Sequence, residues 1–517
     1  MKSKFVKAGI IVAGFWCGAI AHGADRPVVG NVYQSGFEQV FNEENAGTIA
    51  PVGGTNACAA PATSNCCPPA NAAGCGPAAV GCNGNKACGN QGCQGGSCGC
   101  GVLSKCSLTS LFGGCKSDCP EEEKEAWALQ SLFTDKCGQN WLDDKGLKIG
   151  GSTVQSFTIN FSSPRDQFNG PVTWTDRSNE YQLNQQWLYL EKATKTDDCK
   201  DWDLGGRVDL LLGTNARFAT ESNFEDKVNT DHSFYGLAVP SMYVELAYKT
   251  TKTKIGRFIS PVGYNTVDLT LNPFNTIPYS YQYGQPFTHT GIWTTWQATE
   301  ALNVGGGVIR GWDNFGQQNP NAGFMGTATY TINENQSLAF VNFYTQEPSA
   351  SPTSDGFTGR YLQTLVYSHK FAEKYTFIGE SDIASQDNQT ATTGTAQWYS
   401  LLAYLSYAQS DKTTWTIGGE WFHDEAGVRV GGFLPNLPNT TATSRTRGLD
   451  TARSGFVGDF YQITMGPRYQ FNKNVYIRPN LRVDWYGGDA NGAGLLPYGD
   501  GTKREQGILG TDLGIVY

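Results

Sequence analysis

Charge is scarce in this chain. Charged residues make up 16% of its 517 residues, where a soluble protein usually carries nearer a quarter. Long apolar runs are missing as well. No segment after the N-terminus approaches the ~20 apolar residues of a membrane-crossing helix, and mean hydropathy is −0.37. A helical membrane protein is therefore excluded. Catalytic signatures are also lacking. The histidines are His22, His232, His289, His369 and His423, and none has a metal-ligand spacing. There is no His-Glu-x-x-His, no Gly-x-Ser-x-Gly elbow and no phosphate-binding glycine loop. Glu420, His423 and Asp424 fall at a strand end, where exposed polar residues are ordinary. No enzyme activity, cofactor, metal or nucleic-acid partner is expected.

What the chain does have is glycine, at 63 residues, and aromatics, at 12%. High Gly, Tyr, Trp, Phe, Asn and Thr with few charges suits a transmembrane barrel. Its lumen is polar and its outer face is apolar only at alternate positions.

The chain divides into four zones. Residues 1–24 read as a secretory signal, with Lys2, Lys4 and Lys7 ahead of the apolar run Ala8 to Ile20. Trp16 before Cys17 argues against a lipoprotein. Residues 25–119 are low in complexity and rich in Cys, Gly and Asn. Twelve of the fifteen cysteines lie between Cys58 and Cys119. In an exported chain such a tract favours disulfides over metal. Cys137 and Cys199 are expected to pair. Residues 120–149 hold a short helix and linker; the helix is expected over 118–134, capped by Asp118 with Pro120 in its first turn.

From 150 to 517 the hydrophobic period is two. Val475, Ile477, Pro479, Leu481, Val483 and Trp485 share one face; Tyr476, Arg478, Asn480, Arg482 and Asp484 share the other. Leu204, Val208, Leu210 and Leu212 oppose Asp203, Arg207 and Asp209 in the same way. Tyr399 to Tyr407 is apolar on both faces and fits less well. Gly305-Gly306-Gly307 lies within a strand pattern, where small residues permit close packing or a bend. Tight turns near Lys252, Glu300, Asn333–Asn335, Ala372–Glu373, Ser410–Lys412 and Asn472–Asn474 alternate with long connections. That sorting predicts an all-β, antiparallel up-and-down barrel of about 16 strands. The chain ends on an alternating strand, Gly507 to Tyr517. A terminal aromatic of this kind resembles the outer-membrane assembly signal, so Tyr517 and the barrel-assembly machinery are expected partners.

The run Lys254-Ile255-Gly256-Arg257-Phe258-Ile259-Ser260-Pro261-Val262-Gly263-Tyr264, followed by Gly284-Gln285-Pro286-Phe287-Thr288-His289-Thr290-Gly291, resembles the β-barrel porin-2 (OmpL-like) family. The resemblance covers roughly 140–517 and implies a porin-type outer-membrane barrel. The expected role is a water-filled channel for passive diffusion of small hydrophilic solutes. The alternative is a structural barrel with a plugged lumen, cross-linked to the envelope through the Cys-rich segment. Either would sit in outer-membrane lipid with the N-terminal segment in the periplasm. Assembly into a homotrimer is open.

Alternation nominates pore-lining residues: Asp203, Arg207, Asp209, Glu245, Arg257, Glu380, Asp382, Glu420, Asp459, Arg468, Arg478, Arg482, Asp484 and Asp512. Their mixed signs point to a channel with little ionic preference. The third long connection, about 260–290, carries Pro261, Pro273, Pro278 and Pro286 and is the candidate constriction. Its aromatic residues are Tyr264, Phe274, Tyr279, Tyr281, Tyr283 and Phe287.

Overall fold

The computed structural model describes residues 128–135, 139–165, 167–197, 199–221, 224–225, 229, 234–316, 321–348, 356–387, 394–431 and 455–517. The signal segment, the Cys-rich tract and Cys137 lie outside the described residues. Cys199 is disulfide-bonded.

Seventeen strand elements follow one another in the barrel wall. They are β1 (Lys148–Asn160), β2 (Tyr181–Lys192), β3 (Trp202–Gly213), β4 (Gly236–Ala238), β5 (Met242–Tyr248), β6 (Thr251–Ile259), β7 (Thr288–Gln297), β8 (Leu302–Ile309) and β9 (Gly323–Asn333). They continue as β10 (Gln336–Pro348), β11 (Phe357–Phe371), β12 (Tyr375–Gln386), β13 (Ala396–Ser410), β14 (Thr413–Asp424), β15 (Gly458–Gln470), β16 (Val475–Tyr486) and β17 (Glu505–Val516). Every neighbour is antiparallel, and β1 pairs with β17, which closes the sheet. β4 and β5 both pair with β3 and share one position, so the barrel has sixteen strands around its circumference. Closure removes the edge that an open sheet would expose.

The last residue completes the seam. Tyr517 N donates to Gly151 O at 2.9 Å and Gly151 N to Tyr517 O at 2.7 Å. The Tyr517 hydroxyl also receives a hydrogen bond from Gln186 Nε2.

Turns of two to four residues (249–250, 298–301, 334–335, 372–374, 411–412, 471–474) collect on one rim with the 193–201 connection, and the other long connections collect on the opposite rim. Each strand alternates as its sequence does. Leu204, Val208, Leu210 and Leu212 stand exposed on the outside, as do Ile463, Met465, Leu481 and Val483. The polar alternates point inward and are buried. That is the reverse of a soluble barrel, and it is stable only where the outer belt meets lipid.

The helix expected over 118–134 is shorter. Its described part, Leu129–Phe133, is a 3₁₀ stretch, followed by one α turn at Trp141–Asp144. Gln130 ties both to the barrel: its Nε2 donates to Asp143 Oδ1 at 2.8 Å, and its Oε1 accepts from Ile149 N at 2.8 Å.

Candidate functional site: a loop anchored across the lumen

The third long connection, 260–287, lies inside the barrel. All six of its aromatic candidates are buried, from Phe287 at 0% to Tyr264 at 6% exposure. Tyr264 and Phe274 pack on Ala339, Val366, Ile378, Leu402 and Tyr404 of the inner wall. This explains why Tyr399 to Tyr407 is apolar on both faces: one face meets the outside, and the other receives the loop.

The base of the loop is built from the two runs that carry the family resemblance. Gly263 has φ +80°, and a Cβ there would come within 2.2 Å of Gln285 Oε1. Only glycine fits this crossing. Gln285 Nε2 then reaches Glu380 Oε1 at 2.6 Å and Asp382 Oδ2 at 2.9 Å. Ser260 Oγ and His289 Nε2 are 3.0 Å apart, and His289 Nδ1 faces Gly311 O at 3.0 Å. The fold thus makes a Ser/His pair from residues 29 positions apart. It is buried, and its second ring nitrogen meets a backbone carbonyl rather than a carboxylate. It pins β6 to β7.

The wall holds the loop backbone by charge of opposite sign on two sides. Carboxylates accept from its amides. Tyr264 N donates to Glu380 Oε2 at 2.6 Å. Tyr279 N and Ser280 N donate to the two oxygens of Glu420 at 2.7 and 2.6 Å. Arginines donate to its carbonyls. Arg478 Nη1 reaches Leu269 O at 3.0 Å and Asn272 O at 2.6 Å. Arg482 Nη1 reaches Ile277 O at 2.7 Å, and Arg468 Nη1 reaches Thr270 O at 2.9 Å. Charge-assisted bonds of this kind are the stronger sort. Asp382 is also held by Thr364 and Ser400 at 2.6 Å each.

The remaining inward candidates are paired with one another. Arg478 bonds Asp512, and Arg482 bonds Asp484, each at 2.8 Å. Arg207 Nε is 3.0 Å from Asp209. Asp203 sits at the short-turn rim against Lys200 at 2.7 Å, and Glu245 accepts from Thr194. Inside the lumen the Tyr279 hydroxyl lies 3.0 Å from Asp484 and 2.9 Å from the Tyr498 hydroxyl. Burial and the Asp484 charge push the Tyr279 phenol well above its ordinary value of 10.

Two candidates do not face the lumen. Arg257 lies opposite Thr290, one step from the exposed pair Ile255 and Ile292, and so shares their outer face. It is nonetheless fully buried. The segment between β3 and β4 folds over it, with Glu221 Oε1 at 3.4 Å, Glu225 in direct contact and Ala219 O at 2.8 Å. The inward assignment of this arginine is corrected by its own strand: two residues from Ile255, it falls on the same, outer face. Burial pushes the Glu221 carboxyl up, against the pull of Arg257. Asp459 also faces out. His423 Nδ1 lies 2.7 Å from it, Trp421 Nε1 donates to it at 2.8 Å, and Tyr399 stacks on His423.

Sequence reading missed the loop's polar partners on β2. Gln185 Nε2 donates to Val267 O at 2.6 Å and its Oε1 accepts from Leu269 N at 3.1 Å. An uncharged side chain in a strand gives no signal of such a role.

The family model described as "Putative beta-barrel porin-2, OmpL-like" matches residues 146–516. The chain belongs to this family. It is an outer-membrane β-barrel of the porin type. None of the curated proteins matches its sequence. Among solved structures it is similar to the outer-membrane channel DcaP of Acinetobacter baumannii, with 10% identity and a TM-score of 0.48 over 74% of this chain and 99% of that one. The anion-selective porin from Comamonas acidovorans shows 11% identity and a TM-score of 0.46 over 72% and 99%. OprB of Pseudomonas putida shows 13% and 0.45 over 73% and 96%.

Proposed function

We propose that this porin-type barrel is a passive channel for small hydrophilic solutes, with the 260–287 loop as its constriction. The observation that carries the reading is the two-sided anchoring of that loop. Carboxylates Glu380 and Glu420 hold its amides while Arg468, Arg478 and Arg482 hold its carbonyls. A loop fixed this way narrows a lumen without a covalent plug. Pairing of Arg207, Arg478 and Arg482 with Asp209, Asp512 and Asp484 favours little ionic preference. The low-complexity segment 25–119 is assigned to the periplasm, with disulfides among its cysteines. Tyr517 serves as the assembly signal, and trimers are the expected oligomer.

A second reading is a structural barrel with a closed lumen. The depth of burial along the loop favours it. Single-channel recording of the refolded full-length protein in a planar bilayer separates the two. Steady open steps support the channel. Silence from a barrel that still migrates heat-modifiably on a gel supports the structural reading.

A further inference from the structure

The run Gly305-Gly306-Gly307 in β8 has two different explanations. A Cβ at Gly305 would come within 2.4 Å of Thr327 Oγ1, and one at Gly307 within 2.3 Å of Ile292 O. Packing inside the chain requires glycine at those two positions. Gly306 is different. It points outward and stands opposite Gly326 of β9, and a Cβ at either would meet only a backbone oxygen at 4.0 Å. Glycine weakens a strand, and no contact within the monomer calls for it at this pair. Strand glycines of this kind mark places where another backbone approaches closely. Among the described residues, no other pair of open outward glycines faces across two strands.

The two glycines lie in a row across the outer face: Thr253, Thr294, Gly306, Gly326, Asn342 and Gln363, each the cross-strand partner of the next. The row runs within the apolar belt, not along its edge. Ile292, Val308 and Phe324 are exposed on its long-connection side, and Trp296, Phe340 and Leu365 on its short-turn side. Across the barrel, β16 and β17 present Leu481, Val483 and Leu509 instead. Lipid chains offer polar groups no hydrogen bonds. Part of the row is matched internally. Thr253 Oγ1 and Thr294 Oγ1 are 2.9 Å apart, Asn342 Nδ2 donates to the Tyr361 hydroxyl at 2.6 Å, and that hydroxyl donates to Gln363 Oε1 at 3.0 Å. Among the described residues, nothing donates to Asn342 Oδ1 and nothing accepts from Gln363 Nε2. Toward the long-connection rim the same side stays polar. The segment between β3 and β4 lies on it, with Glu221 accepting from the Thr288 and Thr290 hydroxyls at 2.9 and 2.7 Å.

We propose that the outer face of β6–β11 is where a second copy of this barrel docks within the membrane, its wall seated over Gly306 and Gly326. The inference deepens the oligomer reading above and rests on it. The row holds an open acceptor and an open donor on adjacent strands, so an identical row can complete both. It carries no charge, so identical faces do not repel. Small residues that admit a close backbone, with carboxamides that bond across, are the contact chemistry of proteins packed within a bilayer. The β1–β17 seam offers the rival face. Thr153, Gln155 and Gln186 are outward there, but Tyr181 holds Gln155 and Gln186 holds Thr153, at 2.8 Å each, and the outward Gly507 lies under Phe161.

The test uses the full-length protein in the membranes of cells that make it. Three variants carry a photo-cross-linker: Phe324→p-benzoylphenylalanine beside the row, Leu509→p-benzoylphenylalanine across the barrel and Gln155→p-benzoylphenylalanine at the seam. Membranes are irradiated and run on reducing, denaturing gels, so disulfides do not count. The expected result is a covalent product of twice the chain mass from Phe324 alone, both halves of which are this chain by mass spectrometry. Gly306→Leu and Asn342→Leu should also turn the detergent-extracted oligomer into monomer by light scattering, with heat-modifiable migration kept, while Leu509→Trp leaves it intact. If Gly306→Leu does not fold, the Phe324 cross-link decides by itself, since it leaves the glycines untouched. A dimer from Gln155 or Leu509 with none from Phe324, or an unchanged oligomer in folded Gly306→Leu, overturns the surface while leaving an oligomer. A Phe324 product with a different protein overturns the partner. A parent that is monomeric in both measurements overturns the oligomer reading itself.

Discussion

Glu420 grips the loop at Tyr279: one carboxylate oxygen accepts from the Tyr279 amide at 2.7 Å and the other from Ser280 at 2.6 Å. This contact joins β14 to a loop residue 141 positions earlier in the chain. It lies at the start of the short π-helical turn Ser280–Gly284. Glu420→Gln keeps the shape, removes the charge and turns one acceptor into a donor. The expected loss is roughly 1.5–3 kcal/mol of loop anchoring. Single-channel traces should become noisier or larger, with the barrel's thermal transition unchanged. Identical traces would mean that Glu420 does not hold the constriction.

Arg257 separates two roles that a pore-lining assignment would confuse. It faces outward and sits fully buried between Glu221 and Glu225. Arg257→Met leaves two buried carboxylates without their cation, which costs about 3–5 kcal/mol. Melting temperature should fall, while the reversal potential in a salt gradient stays where it was. A shifted reversal potential would place the residue in the ion path.

The buried phenols of the loops give a pH prediction. Burial raises both Tyr279 and Tyr498 well above 10, with Asp484 adding to each. A raised folded value means the neutral form is the stabilised one. The contribution is present below the ordinary tyrosine value and is lost only as pH rises through the raised one. Difference spectra of Tyr279→Phe against the parent should therefore show no missing tyrosinate near pH 10, where exposed tyrosines titrate. A missing tyrosinate there would mean that water reaches this phenol.

Deleting Tyr517 removes two backbone hydrogen bonds to Gly151 and the contact with Gln186. At about 0.5–1.5 kcal/mol for a typical bond, refolded protein should denature at a lower urea concentration. An effect on cellular yield far beyond that loss would mark Tyr517 as an assembly signal as well as a seam residue.

The sequence by itself determined the barrel, because an outer wall between lipid and a polar lumen forces a period of two on every strand. Val475 to Trp485 shows it directly, with Arg478, Arg482 and Asp484 inward and Leu481 and Val483 exposed outside. Turn sorting gave the two rims, and the paired runs 254–264 and 284–291 pointed to the loop between them. Tertiary structure alone decided what those residues touch. Alternation says which side a residue is on, not what covers it. Arg257 lies beneath another loop, and Asp459 pairs with His423 on the outer face. Leu402 and Tyr404 look misplaced in a lumen until the loop packs against them. Glu420 and Tyr279, Gln185 and Val267, and Asn275 and Asn184 meet only because the chain returns through its own barrel. No local pattern records contacts between residues so far apart in the chain.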